Sequence, residues 1–226
     1  NERRPDPRYG TNLVISNDGE SWYQSFQVEW AKRVTQGLQF TAQYTWSRTE
    51  DTTSEATFVG TGDSNNNGPD KKFARGFSRF HTPHRFTLNG TWRIPFFADR
   101  KDLVGQALGG WQLAAFVRLA HGTPFTVFDT AADLNFDGFS ESRPVILDKS
   151  ILGNSVNDPA TSQQQLPLSA FRRAVYGDTD IVGRNAFFID GTKNVDLGIY
   201  KTFSLPHRHS VTVRVEMFNA FNWVQF

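Results

Sequence analysis

From Leu38 to Ser47 every second residue is apolar. Leu38, Phe40, Ala42, Tyr44 and Trp46 fall on one side, and Gln39, Thr41, Gln43, Thr45 and Ser47 on the other. A repeat of two places these sets on opposite faces of a strand, whereas a helix would scatter them around its circumference. Upstream, Phe26, Val28 and Trp30 alternate with Ser25, Gln27 and Glu29, and Val34-Thr35-Gln36-Gly37 reads as the turn of a hairpin. A second pair follows. Phe86, Leu88, Gly90, Trp92 and Ile94 alternate with Arg85, Thr87, Asn89, Thr91 and Arg93. Trp111, Leu113, Ala115, Val117 and Leu119 then alternate with Gln112, Ala114, Phe116, Arg118 and Ala120. In the third pair, Val195, Leu197, Ile199 and Phe203 alternate with Asp196, Gly198, Tyr200 and Thr202. Val211, Val213, Val215 and Met217 then alternate with Thr212, Arg214, Glu216 and Phe218. The pattern predicts an all-β chain of about six antiparallel strands in three hairpins.

Connections within pairs are short or moderate, while those between pairs, residues 50–83 and 121–193, are long. Two structureless loops of that length are rare in a compact soluble domain. They suit an up-and-down transmembrane β-barrel, with short turns on one side of the membrane and long loops outside. Each alternating stretch is close to the ~9–11 residues that a tilted strand needs to cross a bilayer. On this reading Phe26, Val28, Trp30, Phe40, Tyr44, Trp46, Trp92, Trp111, Val117, Leu197 and Val213 face lipid. Glu29, Arg85, Arg93, Arg118, Asp196, Arg214 and Glu216 face a wet lumen. Lys201 is the main charge on the apolar side, and Lys32 and Arg48 lie at strand ends. Trp30, Trp92 and Trp111 fall near the inner boundary, and Trp22 and Trp46 near the outer, where amphipathic rings prefer to sit. The same alternation fits a secreted or surface-displayed soluble sandwich, an adhesin or binding module whose charges lie on its outer face.

Composition narrows the field. Lys+Arg 24 against Asp+Glu 23 gives a net charge of +1, which offers no electrostatic case for nucleic acid. The absence of cysteine excludes disulfides and thiolate metal sites. With a mean hydropathy of −0.48 and no apolar run near the ~18 residues of a spanning helix, the chain is not a helical bundle in a membrane. Its 6 Trp, 5 Tyr and 21 Phe are the aromatic excess of half-buried strands. The first residue is Asn1 rather than Met, and six strands fall short of the ~8 of the smallest bacterial barrels, so a piece of a longer polypeptide is expected.

Candidate chemistry is sparse. Asp133, Asn135, Asp137, the Phe139 carbonyl and Glu141 place oxygen donors at alternate positions around Gly138, which suits a calcium loop. The twelfth position is Pro144 rather than Glu, so the segment is not an EF-hand, and an Asp/Asn/Gly-rich surface turn accounts for the same residues. His81-Thr82-Pro83-His84 has the spacing of a metal pair, but Pro83 prevents the helix that would align the rings and no third ligand is evident. The His207-Arg208-His209 turn reads as solvated. Asp178 and Asp180 read as loop solvation, or as partners of Arg184 in ligand contact. No nucleophile elbow or phosphate loop occurs, and an enzyme is not expected.

The ordered set of Trp22-Tyr23-Gln24-Ser25-Phe26-Gln27, Gly37-Leu38-Gln39-Phe40, Tyr44-Thr45-Trp46-Ser47, Pro83-His84-Arg85-Phe86, Gly110-Trp111-Gln112-Leu113, Gly122-Thr123-Pro124-Phe125, Gly183-Arg184-Asn185 and Arg214-Val215-Glu216-Met217-Phe218-Asn219 runs across nearly the whole chain. It resembles TonB-dependent outer-membrane receptors, with the Oar-like group closest. The resemblance implies the carboxy-terminal portion of a ~22-stranded barrel with a plugged lumen. It also implies import of a bulky solute across the bacterial outer membrane. The partners it implies are outer-membrane lipid, the rest of the barrel and plug, and the TonB complex. The plug and the TonB box are not in this sequence. Phe226 stands where the family continues toward a last strand, and on this topology it lies on the wrong side to be a terminal sorting signal.

Overall fold

In the computed structural model, residues 19–54, 74–100, 102–130, 134, 142–158 and 160–225 are described. The first hairpin is β1 (Ser21–Thr35) and β2 (Leu38–Asp51), joined by Gln36 and Gly37 alone. Both turn residues have positive φ, 52° and 78°, the backbone of the tight turn whose twist matches a hairpin. The predicted turn is thus shorter than Val34–Gly37. Lys32 pairs with Phe40 but Thr35 with Leu38, so β1 carries one extra residue in a bulge and runs on to Thr35. Gly37 is required for a second reason. A Cβ there would stand 2.3 Å from the Arg93 carbonyl oxygen, and the Arg93 N–H donates to Gly37 O at 2.8 Å.

A short β3 (Gly76–Phe77) pairs with the end of β2, and β4 (His84–Arg93) follows. The helix α1 (Leu103–Leu108) leads into β5 (Trp111–Ala120). Far along the chain, after a folded insertion that carries five short strands, come β11 (Thr192–Ser204) and β12 (Ser210–Met217). The long strands form one antiparallel meander in the order β1-β2-β4-β5-β11-β12, each bonded to its neighbour in sequence order. The three predicted hairpins are present, and they also pair with one another through β2–β4 and β5–β11. At 15, 14 and 13 residues, β1, β2 and β11 exceed the ten or so expected and project beyond β4 and β5.

Register decides the faces. Phe26 lies opposite Trp46 and Trp46 opposite His84. Val28, Tyr44, Phe86 and Leu119 form a continuous cross-strand row, as do Leu88, Val117 and Val195. Leu197 faces Ala115 and Met217, and Lys201 faces Trp111 and Val213. Every residue predicted on the apolar side therefore lies on one continuous face, with the predicted charges on the other. Apart from Val195 and from Lys201 under α1, that apolar face stays largely uncovered among the described residues: Trp30 is 67% exposed, Phe26 60% and Val215 54%. A soluble sandwich would bury such a surface at roughly 25 cal/mol per Å². A face this apolar and this bare is suited to hydrocarbon.

Lys201, the exception on that face, is buried. Its ammonium donates to the carbonyls of Ala107 (2.9 Å) and Gly109 (2.5 Å) at the carboxyl end of α1, where the helix dipole favours a cation. The rings of Trp111 and Phe203 flank it at 5.2 and 5.1 Å. No described helix is long and apolar enough to cross a membrane, which says nothing of the strands.

Candidate functional site

All the long connections leave the same edge of the sheet, the edge opposite the Gln36–Gly37 turn. The sequence reading treats the connection after β5 as structureless, and the structure corrects this. Its chain folds into a small cap made of β6 (Pro124–Phe125), β7 (Val145–Ile146), β8 (Ser155–Val156), α2 (Ser162–Gln165), β9 (Phe171–Arg172) and β10 (Phe187–Ile189). The sheets β6-β10-β8 and β7-β9 enclose Ile146, Ile151, Ala170, Val182 and Phe187, with Phe125, Leu166 and Phe171 packed around them. Apolar residues recur through 145–189 at spacings too short and irregular to read as spanning strands, yet enough of them gather to bury a core.

The cap is fastened to the rim by Gly183-Arg184-Asn185. Arg184 is 1% exposed at its side chain and forms an ion pair with Asp51, the last residue of β2. It also donates through Nε to Ala74 O (2.8 Å) and through Nη1 to Ser54 Oγ (3.0 Å). Asn185 adopts φ 55°, and its side-chain amide donates to Phe77 O at 2.7 Å. Asp178 and Asp180, weighed with Arg184 as ligand contacts, pair with other cations. Asp178 takes a two-pronged pair of bonds from Arg172 at 2.8 and 2.9 Å, which holds its carboxyl down at about 2. Asp180 pairs with Lys149 at 3.1 Å.

Beside this anchor sits a cluster of rings. His81, 3% exposed, stacks on Phe77 at 4.4 Å and 18°, and its Nδ1 accepts from the Thr49 N–H at 3.3 Å. His121 meets the Phe188 ring edge-on at 4.6 Å, and the Tyr44 hydroxyl and His84 Nδ1 share a hydrogen bond of 2.8 Å. Burial first, then the nearby His121 and Arg48, push the His81 imidazole down to about 4. His81 and His84 are thus engaged in stacking and hydrogen bonding. The described residues contain no group of three or more His, Cys, Asp or Glu fit to hold a metal. The calcium candidates Asp133, Asn135, Asp137 and Glu141 lie outside the described residues.

Below the cap, the polar face carries Arg85, Arg93, Arg118 and Arg214 against Glu29, Asp196 and Glu216. Here the predicted lumen residues do share a surface. Gln43 donates to Glu29 at 2.7 Å, Tyr200 to Glu216 at 3.1 Å, and the Asn219 N–H to Asp196 at 2.9 Å. Gln39 donates to Thr91 at 2.9 Å. A face with fixed charges of both signs offers donors and acceptors to a polar solute. It holds no nucleophile–base pair among these contacts.

Two clefts were not legible in the sequence. One of about 340 Å³ opens in the cap between Phe125, Val156, Leu166 and Ile189, with Ser162, Gln163 and Asp190 as its polar wall. The other, about 250 Å³, lies at the rim among Trp22, Gln24, Arg48, Glu50 and Arg75.

A model for the outer membrane beta barrel domain matches residues 1–226. No curated protein and no solved structure matches the chain. With its meander of long antiparallel strands, one bare apolar face and one charged face, the chain belongs to the outer membrane beta barrel family and resides in the bacterial outer membrane.

Proposed function

We propose that the chain is part of the barrel of a TonB-dependent, Oar-like receptor that captures a bulky solute at the cell surface and imports it. The observation that carries this reading is the folded cap. A connection that only closes a barrel needs no core of its own. This one buries Val182 and Phe187 completely and is fixed to the rim by a buried ion pair. Rigid external loops of this kind preorganise a capture surface, and the cap cleft has the size and apolar lining common in small-molecule sites. Beneath it, the polar face offers a passage lined by Arg85, Arg93, Arg118, Asp196 and Glu29. Energy would come through a plug and the TonB complex, and the chain's own role is binding and conduction rather than catalysis.

The test uses the full-length parent receptor in detergent. Calorimetry against the purified periplasmic domain of TonB should show a saturable one-to-one heat. Absence of binding at any concentration would remove the TonB-dependent reading and leave a passive or adhesive outer-membrane barrel.

A further inference from the structure

The rim cleft lies on the lipid side of the sheet, not the lumen side. Trp22 pairs across the strands with Glu50, and Gln24 with Arg48. Both pairs belong to the same face as Phe26 and Trp46, the next pair inward. Trp46 marks the level of the outer aromatic belt. At ~3.3 Å per residue, Arg48 and Glu50 stand roughly 7 and 13 Å further along the strand. That is the depth of lipid headgroups.

Two guanidiniums converge there on one carboxylate. Arg48 donates through Nε to Glu50 Oε1 at 2.9 Å, with Nη2 also on that oxygen. Arg75 donates through Nε (3.1 Å) and Nη2 (2.7 Å) to Oε2. Glu50 is largely covered, with its side chain 14% exposed, while Arg48 and Arg75 keep 55% and 54%. Arg75 lies over the Trp22 ring at 4.2 Å and Arg48 at 5.8 Å from the Phe77 ring centre, so each guanidinium has an aromatic ring within cation–π reach. The carboxylate therefore positions the pair without neutralising it. Each fork uses Nε and one Nη2 hydrogen on Glu50, which leaves three of its five N–H donors outside that pair, on side chains that line the cleft and are more than half exposed. One positive charge remains in excess.

We propose that this cleft binds the phosphate of a phosphorylated glycolipid in the outer leaflet. Planar, paired N–H donors match phosphate oxygens two at a time. A position above the aromatic belt on the lipid side selects a headgroup over a solute in the lumen. The site is independent of what the barrel transports.

The test is native mass spectrometry of the full-length receptor released from micelles doped with a phosphorylated glucosamine-disaccharide lipid or with its dephosphorylated form. The wild type should retain the phosphorylated lipid about tenfold more than the dephosphorylated one, the loss expected when charge-assisted hydrogen bonds to phosphate are removed. Arg48→Gln with Arg75→Gln should abolish that preference while the unheated protein keeps its compact mobility on a gel. Equal retention of both lipids by the wild type would overturn the proposal whether or not the variant folds. Displacement of the lipid by equimolar inorganic phosphate would also overturn it, since it would show a free-anion site.

Discussion

Arg184 and Asp51 stand 133 residues apart in the chain and meet as a buried ion pair, joining the cap to the end of β2. Both side chains are enclosed, Arg184 at 1% and Asp51 at 6% exposure. Removing one partner of such a pair costs about 3–5 kcal/mol, since the other charge stays buried and unpaired. Asp51→Asn or Arg184→Ala should therefore release the cap while the sheet survives. Limited proteolysis of the full-length protein should cut within residues 142–190, with compact gel mobility retained. An unchanged digestion pattern would show that the ring cluster alone holds the cap.

Acid should loosen the same contact. His81 is held neutral at about 4, below its ordinary 6.5. Between those values the unfolded or undocked state binds the proton and the docked state does not. The docking is thus fully stable above about pH 6.5 and weakens as pH falls toward 4. Hydrogen exchange in the cap, followed from pH 7 to pH 4.5, should accelerate. His81→Phe keeps the stack on Phe77 and should flatten that dependence.

The faces make a position-specific demand. Val117 lies at mid-height on the apolar face, between Leu88 and Val195. Asn89, one position from Leu88, lies on the polar face. Val117→Arg should destabilise the reconstituted barrel by roughly 2–4 kcal/mol in urea, and Asn89→Arg by far less. Lipid-borne quenchers should likewise reach labels at Val28, Tyr44 and Leu113 but not at Gln27, Gln43 and Gln112. Equal penalties or equal quenching would contradict the assignment of faces.

Where the cap chain turns into β11, glycine is obligatory. A Cβ at Gly122 would lie 1.8 Å from Ile189 O, and one at Gly191 2.2 Å from Ala120 O. No flexible side chain can yield at either place, because both obstacles are backbone. Gly122→Ala should disrupt the cap more than Gly153→Ala, where a Cβ meets nothing within 4 Å and only a positive φ of 84° opposes it. Tryptic release of the cap would compare the two.

The strands were readable because period two is a local signal. Leu38 to Ser47 and Trp111 to Ala120 needed no partner to be recognised, and pairing order followed from hairpins. The bulge near Lys32 was not, because nothing in Lys32-Arg33-Val34 announces an extra residue. The cap was missed for a different reason. Its strands have two or three residues each, too short for any period, and its core is a matter of which distant side chains converge. Arg184 was singled out in sequence, but its partner Asp51 lies across the fold, and the nearer Asp178 and Asp180 are engaged by Arg172 and Lys149. The third histidine of the ring cluster, His121, is one residue beyond β5, which is a place only the register reveals.

The grip of Lys201 on the end of α1 also governs how deep the sheet rides. The connection carrying that helix exposes Phe96, Leu103 and Leu108, at 62%, 82% and 54%. Tied to the apolar face by the Lys201 ammonium and by the Trp111 indole, which donates to Ala107 O at 3.1 Å, it forms a greasy skid at the end of the sheet opposite Arg48 and Glu50. In a bilayer, hydrocarbon at one end and charge at the other would make vertical drift unfavourable in either direction and gauge the wall to one membrane thickness.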